Sequence, residues 1–353
     1  MAGLHKVVVY GAYGHTGRFV TAELVRRGLL PVLSGRDPVK LAALGARYPD
    51  LAQRPVALDD PVALAAVLAG ADAVINTAGP FLDTATPLAT AAVRAGVPYL
   101  DVSAEQASTA ALHRGLAAAA EAAGIAVVPA TAFYGGLADL LATAALAGEP
   151  AEEITIAIAL DRWWPTEGTR VTGRRNTAPR LVVDGGRLVP LESPPPTRTW
   201  VFPAPFGAQD VVALPFSEIV TIAAHLEVEA VRSYLATRAL QDLRDPATPA
   251  PVAVDDTGRS GQRFAVDVRV RTATGERRIT ASGQDIYAVT APIVVEAVTR
   301  ILDGRAPRTG VLAPGALLDA ADVLAALSPV PLQVAGSGDV MAENCARAAG
   351  PAA

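Results

Sequence analysis

Apolar residues in the first 135 positions fall in short runs, separated by alanine-rich stretches of helical spacing. Residues 6–10 (KVVVY) form a β-branched run, and 16–27 follow with helical spacing that stops at Gly28. Further strands are predicted over 30–34, 55–58, 73–76, 99–102 and 125–128. Helices are predicted between them over 38–47, 61–68, 87–95 and 109–123, the last two ending at Gly96 and Gly124. This alternation implies α/β architecture, a doubly wound parallel sheet with helices on both faces. The unbroken apolar character of the strands fits a sheet covered on both sides.

From about Leu137 the period changes. A helix over 137–146 leads to alternating strands at 154–160, 181–183, 199–202, 219–223 and 263–271. Asp184-Gly185-Gly186 and Thr274-Gly275 are hairpin signals, the second leading into a strand at 277–282. This reads as a second α+β domain with a mostly antiparallel mixed sheet. The stretches 193–197 and 246–256 read as loops, and helical periodicity returns at 291–302 and 316–327.

The segment Gly11-Ala12-Tyr13-Gly14-His15-Thr16-Gly17-Arg18 joins the first strand to the first helix. In that position glycines let the backbone approach a pyrophosphate, and amides at the helix start hold the anion. Gly11, Tyr13, Gly14, His15, Thr16 and Gly17 are therefore expected at a dinucleotide. The second strand ends in Ser34-Gly35-Arg36-Asp37, with Arg36 placed 19 residues past Gly17. An arginine there suits a ribose 2′-phosphate, with Ser34 as a second donor, so NADP(H) is expected over NAD(H). The counter-reading has Asp37 turned inward to hold a 2′-hydroxyl. Asp59 after the third strand, Thr77, Ala78, Gly79 and Pro80 after the fourth, and Ser103 and Glu105 after the fifth extend the expected cofactor edge.

Composition bounds the rest. At 353 residues the chain holds about two domains. A net charge of −5 argues against a nucleic-acid partner. No uncharged stretch reaches the roughly 18 apolar residues that suggest a membrane span. One cysteine, Cys345, excludes a disulfide within the chain, and four scattered histidines without metal spacing predict no metal site. With no secretory signal ahead of the first strand, a cytoplasmic setting is expected.

At these residues the chain resembles the saccharopine dehydrogenase-like (saccharopine reductase-like) NAD(P)-dependent oxidoreductases. The likeness rests on GAYGHTGR (11–18), SGR (34–36), INTAGPF (75–81), AVRAGVPYLDVSAE (92–105), PFSEIVTIAAHL (215–226) and SGQDIYAVTA (282–291). It departs at Leu82-Asp83-Thr84, where members commonly carry a tyrosine-glycine pair. The resemblance implies an NADP(H)-binding Rossmann domain over 1–135 and a substrate and dimerisation domain over 136–290. It places helices returning to the first domain over 291–335, and a frayed tail is expected over 336–353. It also implies hydride transfer to or from an imine or a conjugated C=C of a small substrate, free or carrier-bound, in a homodimer.

Such reductions need a proton donor at the accepting atom, and no motif fixes it. Tyr134, in Ala132-Phe133-Tyr134-Gly135-Gly136, follows the sixth strand and is either catalytic or an interface aromatic. His225 follows a predicted strand and is either catalytic or structural. Phe81, Trp163 and Arg170 are expected at the substrate. Against this, Trp163 reads equally as a packing or dimer surface, and Arg170, with Arg174 and Arg175, as a solvated charge run. His5 and His113 read as surface positions. A reading of a different class is a catalytically inactive dinucleotide sensor or scaffold.

Overall fold

The alternation becomes a strand–helix series in the computed structural model, which describes residues 4–337. The series runs β1 (Lys6–Tyr10), α1 (His15–Arg26), β2 (Leu30–Gly35), α2 (Pro38–Gly45), β3 (Gln53–Pro55), α3 (Pro61–Leu68), β4 (Ala73–Asn76), α4 (Phe81–Ala95), β5 (Tyr99–Asp101), α5 (Gln106–Ala123) and β6 (Ala126–Val128). A π-type turn, Phe133–Leu137, leads into α6 (Ala138–Leu146). Next come β7 (Ala151–Leu160), α7 (Glu167–Arg175), β8 (Leu181–Asp184), β9 (Arg187–Pro190), β10 (Thr197–Val201), β11 (Ala208–Ala213), α8 (Glu218–Ala223), β12 (Val228–Ala236) and α9 (Thr237–Arg244). The chain continues through β13 (Arg263–Thr272), β14 (Gly275–Gln284), α10 (Thr290–Leu302), β15 (Gly310–Val311), α11 (Pro314–Leu317), α12 (Ala320–Ala326) and β16 (Leu332–Ser337).

The first sheet has the order β15-β6-β5-β4-β1-β2-β3 and is parallel throughout. Strand order reverses at β1, where Tyr10 lies opposite Ser34 of β2 on one side and Asn76 of β4 on the other. A crevice opens beyond the carboxyl ends of strands at such a switch point. Val7, Val8 and Val9 are fully buried, as a strand sandwiched between helices requires.

The second sheet runs β10-β11-β12-β7-β13-β14-β16, with β8 and β9 branching from β12. Only the β7–β12 pair is parallel. Ile154, Ile156 and Ile158 of β7 share one buried cluster with Leu140 and Leu141 of α6 and with Val7 and Val9 of the first sheet. The two sheets thus share a continuous core, with α6 packed on β13 and β14 of the second sheet and α10 on β4 and β5 of the first. Helix α10 returns to pack on α1, and Glu296 of α10 bonds Arg27 beside it. Helix α12 instead packs on α6. Strand β16 pairs with β14, so the expected tail begins inside a strand, and the remainder, with Cys345, lies outside the described residues.

Several elements differ from expectation. Strand β3 covers Gln53–Pro55 rather than 55–58, and 316–327 divides into α11 and α12. Residues 219–223, read as a strand, belong to helix α8. Its residues from Glu218 to Ile222 are all buried, and packing against α5, α6 and the π-type turn overrides the β preference of Ile219, Val220, Thr221 and Ile222. Helix α4 starts at Phe81 rather than at Pro87, which sits in its interior. The two oxygens of Glu105, from the far side of β5, accept from the amides of Phe81 and Leu82 and stabilise that start.

Candidate active site

The chain leaves β1 at Gly11, whose φ of 85° is costly for any residue with a Cβ. The amides of Gly11 and Ala12 both donate to the Ser34 carbonyl, tying the loop to β2. A Cβ on Gly11 would stand 2.9 Å from the Ala78 amide nitrogen, and one on Gly17 would stand 2.3 Å from the Gly11 carbonyl. Gly17 therefore lets α1 close on the loop, rather than touching the cleft as expected. No side chain caps the N-terminus of α1, and no acidic residue stands in its first turn. Gly14, His15 and Thr16 face the cleft from this end. The Gly14 amide donates to the Gly11 carbonyl, which leaves the amides of His15 and Thr16 at the positive end of the helix dipole, where they fit a pyrophosphate.

Arg36 lies exposed at the cleft edge and makes no hydrogen bond or ion pair among the described residues. Asp37 does not turn inward. Its carboxylate caps α2, and the Lys40 amide, then that of Val39, holds it below the usual carboxylate range. The competitor for a 2′-hydroxyl is thereby occupied. Ser34, expected at the phosphate, is buried and its hydroxyl donates to the Arg54 carbonyl at 2.8 Å. Tyr13 covers Gly35 with its ring and accepts from the Asp37 amide at 3.3 Å. Asp59 lines the same end.

Thr77, Ala78, Gly79 and Pro80 line the middle of the cleft, and the Thr77 hydroxyl donates to the Tyr10 carbonyl. Beneath them the Tyr99 phenol donates to Asp101, whose other oxygen accepts from the amides of Ser103 and Ala130. Burial pushes the Asp101 carboxyl up to about 6 despite these bonds. Ser103 is buried away from the cleft, its hydroxyl oxygen accepting from the Glu105 amide. Glu105 does line the cleft, with both oxygens used in capping α4 and its carboxyl raised by burial.

The far end is aromatic. Tyr134, Phe81, Trp163 and Phe216 line it. The Tyr134 ring lies 4.2 Å from Phe216 and 5.6 Å from Trp163, centroid to centroid. Among the described residues the buried Tyr134 hydroxyl has no hydrogen-bond partner, and burial holds the phenol well above its ordinary pKa. His225 does not join it. It follows helix α8 and bonds Asp139 at 2.7 Å, away from the cleft, so its role here is structural. His113, read as exposed, is part-buried, and burial lowers its pKa. Arg170 also leaves the substrate site, its guanidinium donating to the carbonyls of Leu243, Asp245 and Thr248. Trp163 is held by its indole N–H to the Tyr287 phenol oxygen at 3.1 Å.

Sequence reading missed Tyr287, Arg180, Phe216 and helix α7, which all line the cleft. Tyr287 and Phe216 lie inside the segments SGQDIYAVTA and PFSEIVTIAAHL, the one available signal for them. The whole cleft has a volume of about 1060 Å³ and runs from Arg36 past the glycine loop to Tyr134. Among the described residues no cluster of His, Cys, Asp or Glu could hold a metal ion, and no helix is long and apolar enough to cross a membrane.

Residues 7–128 match the family model of the saccharopine dehydrogenase NADP binding domain. Trans-acting enoyl reductases of Mycobacterium tuberculosis and Mycobacterium bovis are 32% identical over 105 residues, 28% of this chain. That match spans 25% of their own length. The apo structure of a saccharopine dehydrogenase (L-Glu forming) from Saccharomyces cerevisiae aligns with 95% of this chain and 100% of its own. The TM-score is 0.65 at 15% identity, a likeness of fold.

Proposed function

Because residues 7–128 match the saccharopine dehydrogenase NADP binding domain, we propose that this chain is a saccharopine dehydrogenase-like oxidoreductase that transfers hydride between NADP(H) and a C=N or conjugated C=C bond of a small substrate. The observation that carries this reading is the continuity of the cleft. One space joins the open amides of α1 and the unpaired Arg36 to the aromatic end around Tyr134.

Bound there, NADPH supplies the hydride from its nicotinamide. The residues of the chain supply place and proton. His15 and Thr16 offer the helix N-terminus to the pyrophosphate, and Arg36 offers a planar, permanently charged fork to the 2′-phosphate. Phe81, Trp163 and Phe216 exclude water from the accepting atom. Tyr134 is the proton donor in this reading, because burial keeps its phenol protonated and leaves the hydroxyl unengaged. His225, bonded to Asp139, takes no part.

The enoyl reductase relatives favour a conjugated alkene, and presentation of the substrate by a carrier belongs to the same proposal. The same reading includes a cytoplasmic setting and a homodimer formed on the second sheet, whose edge strand β10 leaves Val201 58% exposed. A far end lined by Tyr134 and Trp163 rather than plugged favours turnover over the sensor or scaffold reading. Oxidation of NADPH against a panel of cyclic imines and enoyl thioesters tests the proposal. Turnover with one class and its loss by about 100-fold or more in Y134F support it. Tight NADPH binding without turnover across both classes favours the sensor.

A further inference from the structure

Arg180 stands just before β8, in the lining of the aromatic end of the cleft. Its guanidinium lies 5.2 Å from the centroid of Phe216, the ring that also stacks on Tyr134. One nitrogen, Nη1, donates to the Pro215 carbonyl. Among the described residues no carboxylate forms an ion pair with it, and no other hydrogen bond engages it. Glu218 is the acid that bears on it, and burial raises the Glu218 carboxyl while its Oε1 accepts from the Phe216 amide. The cost of removing a guanidinium from water is thus left largely uncompensated by the protein itself.

The other cations of the cleft are committed or distant. Arg175 pairs with Asp83, Lys40 with Asp37, Arg18 donates to the Tyr13 carbonyl beside the glycine loop, and Arg36 belongs to the cofactor end. Resting on the reductase reading above, we infer that Arg180 anchors the substrate and that the acceptor carries a carboxylate. A planar guanidinium with Nη1 on the Pro215 carbonyl and Cζ over the Phe216 ring keeps Nε and Nη2 side by side on its free edge. That geometry matches the two oxygens of a carboxylate. A phosphate dianion would meet one positive group at this end and keep half its charge unbalanced. The carboxylate on Arg180 would set the distance of the reducible bond from Tyr134, so that Arg180 also selects among acceptors of different length.

Calorimetric titration of the NADP⁺-saturated protein tests this, using crotonate and glutarate against crotonamide and dimethyl glutarate as neutral counterparts. The wild type binds at least one carboxylate and prefers it to its neutral counterpart. R180M keeps NADP⁺ affinity and loses that carboxylate by about 10- to 100-fold, and R180K recovers part of it. The inference is overturned if no carboxylate binds up to about 10 mM, if the neutral compounds bind equally well, or if R180M binds like wild type. Failure of NADP⁺ itself to bind would instead remove the reductase reading beneath it.

Discussion

The phenol ring of Tyr287 stands edge-on to the imidazole of His15, centroids 5.2 Å apart and planes at 90°. His15 belongs to the glycine loop of the first domain. The Tyr287 oxygen accepts from the Trp163 indole and the Thr166 amide, which leaves its own proton for Thr169 at 2.9 Å. One residue thereby joins the cofactor loop to Trp163 and to helix α7, which has no buried residue of its own. Burial lowers the His15 pKa, so the contact is between neutral rings.

Removing only the oxygen separates these two links. In Y287F the ring still packs on His15, but the Trp163 N–H loses its acceptor. Stability is expected to fall by about 1–3 kcal/mol. Amide exchange across 163–172 is expected to accelerate, while NADPH affinity stays within about threefold. Exchange mass spectrometry with and without NADPH checks this, and unchanged exchange would show that Tyr287 does not hold α7.

Ser34 and Gly17 separate packing from ligand contact. The Ser34 hydroxyl points to the Arg54 carbonyl, so S34A is expected to cost about 1 kcal/mol of stability and to leave NADPH affinity within about twofold. A Cβ on Gly17 meets the Gly11 carbonyl at 2.3 Å, so G17A is expected to weaken NADPH by displacing the loop. Thermal unfolding and a nucleotide titration on both variants read the two effects separately.

The buried Asp101 carboxyl gives a signature in pH. Its folded-state pKa, about 6, lies above the ordinary 3.8, because burial disfavours the charge. Between those values the native state binds more protons than the unfolded chain, so this contribution falls as pH rises through the window. It is fully present below about 3.8 and lost above about 6, an order of 3 kcal/mol in all. D101N, which keeps an oxygen for the Ser103 and Ala130 amides, is expected to flatten the stability curve between pH 4 and 6 relative to wild type. Parallel curves for the two proteins would contradict the assignment.

Much of the first domain was legible because its signals are local. The glycine loop, the Pro61 start of α3 and the Gly96 and Gly124 stops are each set by adjacent residues. What escaped depends on partners distant in sequence. The start of α4 depends on Glu105, and Ser34 turns away because β3 offers the Arg54 carbonyl. His225 leaves the cleft because α8 is a helix whose end delivers it to Asp139 of α6. Arg180 carries no motif and Tyr287 only the segment SGQDIYAVTA, since their meaning lies in groups distant in sequence, Phe216 for Arg180 and His15 for Tyr287.

Preference for NADP(H) rests on Arg36, exposed at the cleft edge. Its most direct test is calorimetric titration with NADPH and NADH in parallel, on wild type and R36A. Charge-assisted bonds from Arg36 predict tighter binding of NADPH by about 10- to 150-fold, and R36A should remove that margin while leaving NADH unchanged. Equal affinity for the two nucleotides in wild type, or binding of neither, would contradict the account.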